Sequence, residues 1–272
     1  MRASRDANWC LVSALSPTHV LITGAAGAIG GALARRIRAT WPRARLALLD
    51  RPQERAALDV LAGELGNCGI YGVDLRDVAS LDAVVDEIAM TAPIDGLVNC
   101  AGIMTVKQVQ SWQWSEASDL MTIDLIAPLR LQDLVVHGMV ERGSGVIVNV
   151  ASMAGKVPLK GCAYYGASKA GLAMASEIAR ADLEPYGVRV VTVYPGPVKS
   201  ALEQGARDAY GGGGLFGRFA PTGEPDELAR RIVDAIINDE PRVIYPRLYN
   251  VGWSATNLSS WFARRYGPPP VS

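Results

Sequence analysis

The chain has 272 residues, 49% hydrophobic and 20% charged, enough apolar material for one sizeable core. Lys plus Arg number 27 and Asp plus Glu number 27, so no bulk positive field exists to hold nucleic acid or an anionic bilayer. Cys10, Cys68, Cys100 and Cys162 form no CxxC or Cys/His cluster, which argues against a disulfide framework and a metal site and fits a reducing, cytoplasmic compartment.

Residues 1–17 read as a short N-terminal extension. Ala7 to Ala34 carries no charged side chain, but Ser16, Pro17, His19 and the glycines from Gly24 to Gly31 interrupt it, whereas a membrane span needs about 20 mostly apolar residues in sequence. No small-residue cleavage site follows the apolar patch Trp9 to Leu15, so no signal peptide is expected.

From residue 18 to 248, short β-rich runs recur at His19–Thr23, Arg45–Leu49, Gly69–Val73, Gly96–Asn99, Gly145–Val150, Arg189–Tyr194 and Arg242–Tyr245. Helical spacing separates most of them, as with Leu33, Ile37 and Trp41, then Leu81, Val84, Val85 and Ile88. Alternation of this kind predicts an α/β fold: a single doubly wound parallel sheet of about seven strands, Rossmann-type, with helices on both faces. A Gly-rich loop over about 200–225 reads as a lid over a binding site, without a fixed strand or long helix. The tail 249–272 places Val251, Ser254, Ala255, Leu258, Trp261, Phe262 and Arg265 at helical spacing. It is an amphipathic segment expected to pack on its own body or across a homodimer or homotetramer interface, in preference to a membrane surface.

After the first strand comes Thr23-Gly24-Ala25-Ala26-Gly27-Ala28-Ile29-Gly30, then a helix. A glycine turn between strand and helix lets the backbone approach a pyrophosphate, whose charge is favoured by the helix's unpaired N–H groups and positive dipole end. Gly24, Ala26, Gly27, Ile29 and Gly30 are therefore candidate cofactor contacts. The second strand ends in Asp50, where a carboxylate can accept from both hydroxyls of an adenosine ribose and repel a 2′-phosphate, which favours NAD over NADP. Arg51 beside it is the one neighbour suited to a 2′-phosphate.

Further along stand Ser152 and, 13 residues later, Tyr165-Gly166-Ala167-Ser168-Lys169. Together with the glycine turn, Asn99-Cys100-Ala101-Gly102 and Pro195-Gly196, this pattern resembles the short-chain dehydrogenases/reductases over nearly the whole chain. The resemblance implies that Ser152, Tyr165 and Lys169 are catalytic, with Asp124 beside them, and that Tyr165 and Lys169 also contact the cofactor. It also implies that Asp74 and Leu75 contact adenine, that Asn99, Ala101 and Gly102 wall the adenosine side, and that Pro195, Gly196, Val198 and Ser200 hold the nicotinamide. Tyr165 and Lys169 are four apart and share a helix face. A free phenol titrates near 10, and Lys169 together with the positive nicotinamide of an oxidised cofactor is expected to lower it for base catalysis. Tyr164 is a decoy, because four residues after it stands Ser168.

Two positions depart from the family pattern. Ala28 stands where many members carry a second glycine, giving TGxxGxxG. Asp124 stands where the family usually has an asparagine in a proton relay to the lysine. If a backbone carbonyl does that work Asp124 is tolerated, and if the side chain matters the relay's pH response changes.

The reading is an NAD(H)-dependent oxidoreductase interconverting a secondary alcohol and a ketone. Its alternatives are an extended-type sugar-nucleotide epimerase or dehydratase and a non-catalytic dinucleotide sensor. Candidate walls for the substrate are Met104, Met153, Leu202, Tyr210, Leu215, Phe216 and Phe219, mainly apolar, which points to a hydrophobic small molecule.

Overall fold

A computed structural model describes residues 15–211 and 221–266. The extension up to residue 14, the wall candidates Leu215, Phe216 and Phe219, and the tail beyond 266 lie outside the described residues. The strands are β1 (His19–Thr23), β2 (Arg45–Asp50), β3 (Cys68–Gly72), β4 (Gly96–Asn99), β5 (Gly145–Val150), β6 (Val188–Pro195) and β7 (Arg242–Tyr245). They form one sheet in the order β3-β2-β1-β4-β5-β6-β7, parallel throughout, with Ile22 facing both Leu48 and Val98 in register.

The helices are α1 (Ala28–Thr40), α2 (Arg55–Leu65), α3 (Leu81–Ala89), α4 (Trp114–Met121), α5 (Ala127–Arg142), α6 (Ala163–Leu183), α7 (Ala201–Ala209), α8 (Pro225–Asn238), α9 (Tyr249–Ser254) and α10 (Thr256–Tyr266). One core packs Leu33 and Ile37 of α1, Leu58 and Leu61 of α2 and Leu228 and Ile232 of α8 against Ile22, Leu48 and Val148 of the sheet. The other packs Val85 and Ile88 of α3 and Leu131 and Val135 of α5 against Leu21, Leu49 and Ile147. Central strands covered on both faces need apolar residues at every position, which is why these runs do not alternate. The strand order reverses between β1 and β4, so the crevice for a ligand opens beyond their C-terminal ends.

One expectation changes. The segment expected to be a loop over 200–225 begins as α7, started by the Ser200 hydroxyl, which accepts from the Glu203 N–H at 3.1 Å. Its far end is tied down as well: Val198 bridges Gly223 in parallel, and the Glu224 N–H donates to the Tyr245 hydroxyl at 2.9 Å. The tail is two helices, α9 and α10, and the first docks on the body. Trp253 stacks edge-on against Tyr194 at 4.5 Å between ring centres, within a cluster that includes Met153 and Tyr249. Among the described residues no helix is long and apolar enough to cross a membrane.

Candidate active site

The β1–α1 turn is shaped by close approach. Gly24 has φ +66°, and a Cβ there would lie 2.8 Å from the Ala101 Cα, so only glycine lets the turn sit against the end of β4. A Cβ at Gly30 would collide with the Gly24 carbonyl, closing the turn from the helix side. Thr23 locks the two loops together: its hydroxyl accepts from the N–H groups of Cys100 and Ala101, each at 3.1 Å, and donates to the Val98 carbonyl at 3.4 Å. Sequence reasoning did not single out Thr23, whose role depends on β4 lying next to β1.

Helix α1 starts after Gly27 with no side-chain cap and no acid in its first turn. Its first N–H groups have no intrahelical partner and its positive end is not neutralised, which suits a phosphate. Asp50 ends β2 beside this turn: one carboxylate oxygen accepts from the Ala26 N–H at 2.9 Å and the other from the Arg51 N–H at 2.8 Å. The Arg51 guanidinium is turned to Glu54 at 2.6 Å, in an exposed pair. An uncapped helix start, a glycine turn without room for side chains and a strand-end carboxylate fit a dinucleotide.

Other cofactor candidates are placed less simply. Asp74 is held by Arg76, whose Nε lies 3.0 Å from both carboxylate oxygens, and this pairing keeps its carboxyl below the usual range. Leu75 is buried in the core. The Asn99 side chain turns into the sheet, away from an adenosine wall: its amide donates to Asn149 Oδ1 at 2.9 Å and to the Pro128 carbonyl at 3.2 Å. The cause is register. Asn99, Asn149 and Thr192 lie in one row across β4, β5 and β6, and their polar groups meet Ser176 of α6 to form a buried chain. The Ser200 hydroxyl, expected to hold a carboxamide, is occupied as the α7 cap and donates to the Val198 carbonyl at 3.1 Å. Val198 is buried. Pro195 pairs with Tyr245 across β6 and β7, and the Gly196 N–H donates to the Tyr245 carbonyl at 2.7 Å.

Ser152, Tyr165 and Lys169 come together at the C-terminal end of β5 and on one face of α6, all three buried. The Ser152 hydroxyl caps the short turn Met153–Gly155 by accepting from the Ala154 N–H at 3.1 Å. Lys169 Nζ lies 5.9 Å from the Tyr165 ring centre and donates to the Val150 carbonyl at 3.3 Å. Asp124 joins them from a π-helical turn, Thr122–Ile126, between α4 and α5. It is fully buried, accepts from the Ile103 N–H at 2.8 Å and faces Lys169 Nζ at 3.4 Å.

Burial raises the Tyr165 phenol above its ordinary value; Lys169 pulls it down, but the Asp124 carboxylate pushes the other way, and the net direction is upward. Burial alone would lower Lys169, yet Asp124 and Tyr165 outweigh it and hold the ammonium above its usual value. Asp124 itself is raised by burial, against the pull of Lys169 and the Ile103 N–H. Burial lifts the Cys100 thiol to about 12, so it is neutral. Such a site can hold a proton on the phenol oxygen, keep a cation beneath it and offer the Ser152 hydroxyl to a substrate oxygen.

Around Tyr165 the walls are apolar: Leu120 and Cys162 are buried with it, and Met104, Trp112, Tyr164 and Tyr210 pack against them. The Tyr210 hydroxyl, just past α7, donates to the Lys160 carbonyl at 2.5 Å and contacts Cys162 Sγ at 3.2 Å. Of the wall candidates, Met153 faces the Tyr194 and Trp253 cluster instead, because it follows Ser152 on the opposite side of the chain, and Leu202 is exposed. Trp112 was missed, though its place in the run Ser111-Trp112-Gln113-Trp114 is unusual enough to have marked it; its ring meets Tyr164 edge-on at 5.1 Å. Two tail residues also brace the site. A Cβ on Gly196 would meet the Tyr249 ring at 2.7 Å, and Lys156 Nζ, in the loop after Ser152, sits 4.2 Å from the Trp253 ring centre. Among the described residues no group of three His, Cys, Asp or Glu side chains could hold a metal.

The sequence is similar to known proteins along most of its length. It is 30% identical over 237 residues to the ketoacyl reductase HetN of Nostoc, spanning 86% of this chain and 80% of that protein. It is 33% identical over 217 residues to the D-threitol dehydrogenase of Mycolicibacterium smegmatis, spanning 78% and 83%. A short-chain dehydrogenase from Sphingobium yanoikuyae, solved in complex with NADPH, superposes with a TM-score of 0.74 at 27% identity, over 91% of this chain and 95% of that one. The profile of the short chain dehydrogenase family matches residues 18–211, and with the sheet and the site described above, the chain belongs to that family of oxidoreductases.

Proposed function

We propose that the protein is an NAD(H)-dependent oxidoreductase that interconverts a secondary alcohol and a ketone on a small apolar molecule. The observation that carries this reading is the buried convergence of Ser152, Tyr165 and Lys169 beyond the C-terminal end of β5, the neighbour of β4 in the sheet. A nicotinamide cofactor, when bound, supplies or takes the hydride. Gly24, Ala26, Gly27, Ile29 and Gly30 would hold its pyrophosphate at the start of α1. Asp50 and Arg51 would meet the adenosine ribose, Asp74, Leu75, Ala101 and Gly102 the adenine side, with Asn99 supporting the wall from inside the sheet. Pro195, Gly196, Val198 and Ser200 would frame the nicotinamide, Ser200 by fixing the loop at the start of α7.

The Ser152 hydroxyl donates to the substrate oxygen and steadies the charge that develops on it. Tyr165 gives its phenol proton to that oxygen during reduction and takes it back during oxidation. Lys169 favours the phenolate that reduction leaves behind. Asp50 supports NAD: a 2′-phosphate would press against its carboxylate, and the guanidinium that would welcome one is paired with Glu54. That pair is exposed and weak, so the carboxylate is the stronger of the two supports. The apolar walls from Met104, Trp112, Tyr164 and Tyr210 support a hydrophobic substrate. Exposed Met174 and Ile178 on one face of α6 support a homodimer or homotetramer, and the free thiols Cys68, Cys100 and Cys162 support a cytoplasmic setting.

The test is a nicotinamide absorbance assay with secondary alcohols and ketones grouped by size and charge, run with NAD(H) and NADP(H). Turnover confined to apolar substrates with NAD(H) is expected. Turnover confined to phosphorylated or carboxylated substrates, or preference for NADP(H), refutes the corresponding part of the reading.

A further inference from the structure

Asp124 places its carboxyl group in the interior, against the Lys169 ammonium. Its side chain is 0% exposed, Lys169 only 5%, and the carboxylate meets the ammonium directly at 3.4 Å. The chain path shuts the pair in: a Cβ on Gly102 would lie 3.1 Å from Lys169 Nζ and 3.4 and 3.5 Å from the two Asp124 oxygens. One oxygen is fixed by the Ile103 N–H, and apart from the lysine contact the other has no partner among the described residues. The π-helical turn turns this side chain inward and leaves its neighbours Ile123 and Leu125 only partly buried.

The groups that face the phenol are few. From α6 comes Lys169, from the residue just before that helix Cys162, from the π-helical turn Asp124, and from just after β5 the uncharged Ser152. Cys100, after β4, faces Lys169. Burial raises both thiols and keeps them neutral, so Lys169 and Asp124 are the two formal charges that act on Tyr165.

We propose that Asp124 is a positioning residue: its carboxylate fixes the Lys169 ammonium by a buried ion pair, and its negative charge opposes the lysine's hold on the Tyr165 phenolate. This rests on the reading of Tyr165 as the general acid and base. The lysine is thereby oriented by direct contact, and the phenol keeps its proton to a higher pH than the lysine alone would allow. Ketone reduction, which needs the protonated phenol, holds its plateau further into the alkaline range. Alcohol oxidation, which needs the phenolate, becomes half-maximal at a correspondingly higher pH.

The experiment compares the wild type with Asp124→Asn, which keeps the shape and removes the charge. In the profile of kcat/KM against pH, the alkaline limb of reduction and the rising limb of oxidation should both move toward acid by about one unit, the low end of what a charge close to a titrating group does. No shift, or a shift toward alkali, overturns the proposal. A second measurement needs neither substrate nor Asp124→Asn: the ultraviolet tyrosinate titration of the cofactor-free wild type, with Tyr165→Phe subtracted. Tyr165 should remain a phenol past pH 10, the ordinary value of a free tyrosine. A midpoint below that overturns the proposal even if Asp124→Asn cannot be made. Should the wild type turn over no alcohol or ketone while the tyrosinate midpoint still falls in Asp124→Asn, the functional reading fails and the role of Asp124 stands.

Discussion

Replacing Asn149 by leucine removes the middle of the polar row that runs beneath the crevice while nearly preserving side-chain volume. Asn149 accepts from Asn99 at 2.9 Å and donates to Gln132 Oε1 and to Ser176 Oγ, each at 3.2 Å. Each bond contributes about 1 kcal/mol net, so the three together contribute about 3 kcal/mol. Ser176 keeps the Thr192 hydroxyl at 2.7 Å and Gln132 is partly exposed and can turn to water, but Asn99 keeps only the Pro128 carbonyl, so one of its buried N–H groups loses its acceptor. The loss should therefore reach at least about 3 kcal/mol, because a buried N–H left without an acceptor adds to the lost bonds, equivalent to a fall in Tm of roughly 6 °C or more for a chain of this size. Urea unfolding should show a lower midpoint with an unchanged slope. Thr192→Val removes one bond and should cost about 1 kcal/mol. The double variant should cost more than the sum, because both deletions then strip Ser176 Oγ. A loss below about 1 kcal/mol for Asn149→Leu, or strict additivity in the double variant, would refute the claim that this row is a connected network.

Tyr165→Phe should leave nucleotide binding nearly intact and lower turnover at least about a hundredfold, read by calorimetry and steady-state rates; retention of most activity removes the catalytic assignment. Asp50→Ala should narrow a preference for NAD of at least about tenfold and also weaken NAD itself, because the Ala26 N–H loses its acceptor; a wider preference contradicts the reading. Trp253→Ala should cost about 2 kcal/mol, from the Tyr194 ring contact and the cations Lys156 and Arg242 near its face, checked by thermal unfolding. His19 is buried and its pKa is lowered, first by burial, so the unfolded chain binds its proton more readily than the folded one. Stability from this residue is complete above about pH 6.5 and is lost as pH falls below it, and His19→Gln should flatten that part of the profile.

Much of this was legible in the primary structure because the signals are local. Strands buried on both faces appear as short runs such as Leu46 to Leu49, and the turn Gly24 to Gly30 and the pair Tyr165 and Lys169 are set by spacing along one element. What escaped depends on neighbours distant in sequence. The inward turn of Asn99 follows from its register with Asn149, 50 residues away, and the same strand-end position would otherwise read as a loop residue. Helix α7 was hidden by the glycines that follow it, although Ser200 with Glu203 three residues on is an N-cap pattern. Asp124 could be seen to depart from a pattern, but its direct contact with Lys169 depends on how α4 passes into α5.

The docking of α9 has a consequence for how this fold can be altered. Tyr249 fills the space above Gly196, and Trp253 lies under Lys156, so the last helices are wedged against both loops that flank the crevice. Residues 53 apart in one case and 97 in the other must therefore change in step: a side chain at position 196 demands a smaller residue at 249, and a different ring at 253 leaves position 156 without its platform. Grafting the tail of a relative onto this body would carry over half of each pair and displace the loops at both sides of Ser152. An exchange that transfers positions 156, 196, 249 and 253 as one unit would keep the wedge and, with it, the shape of the crevice.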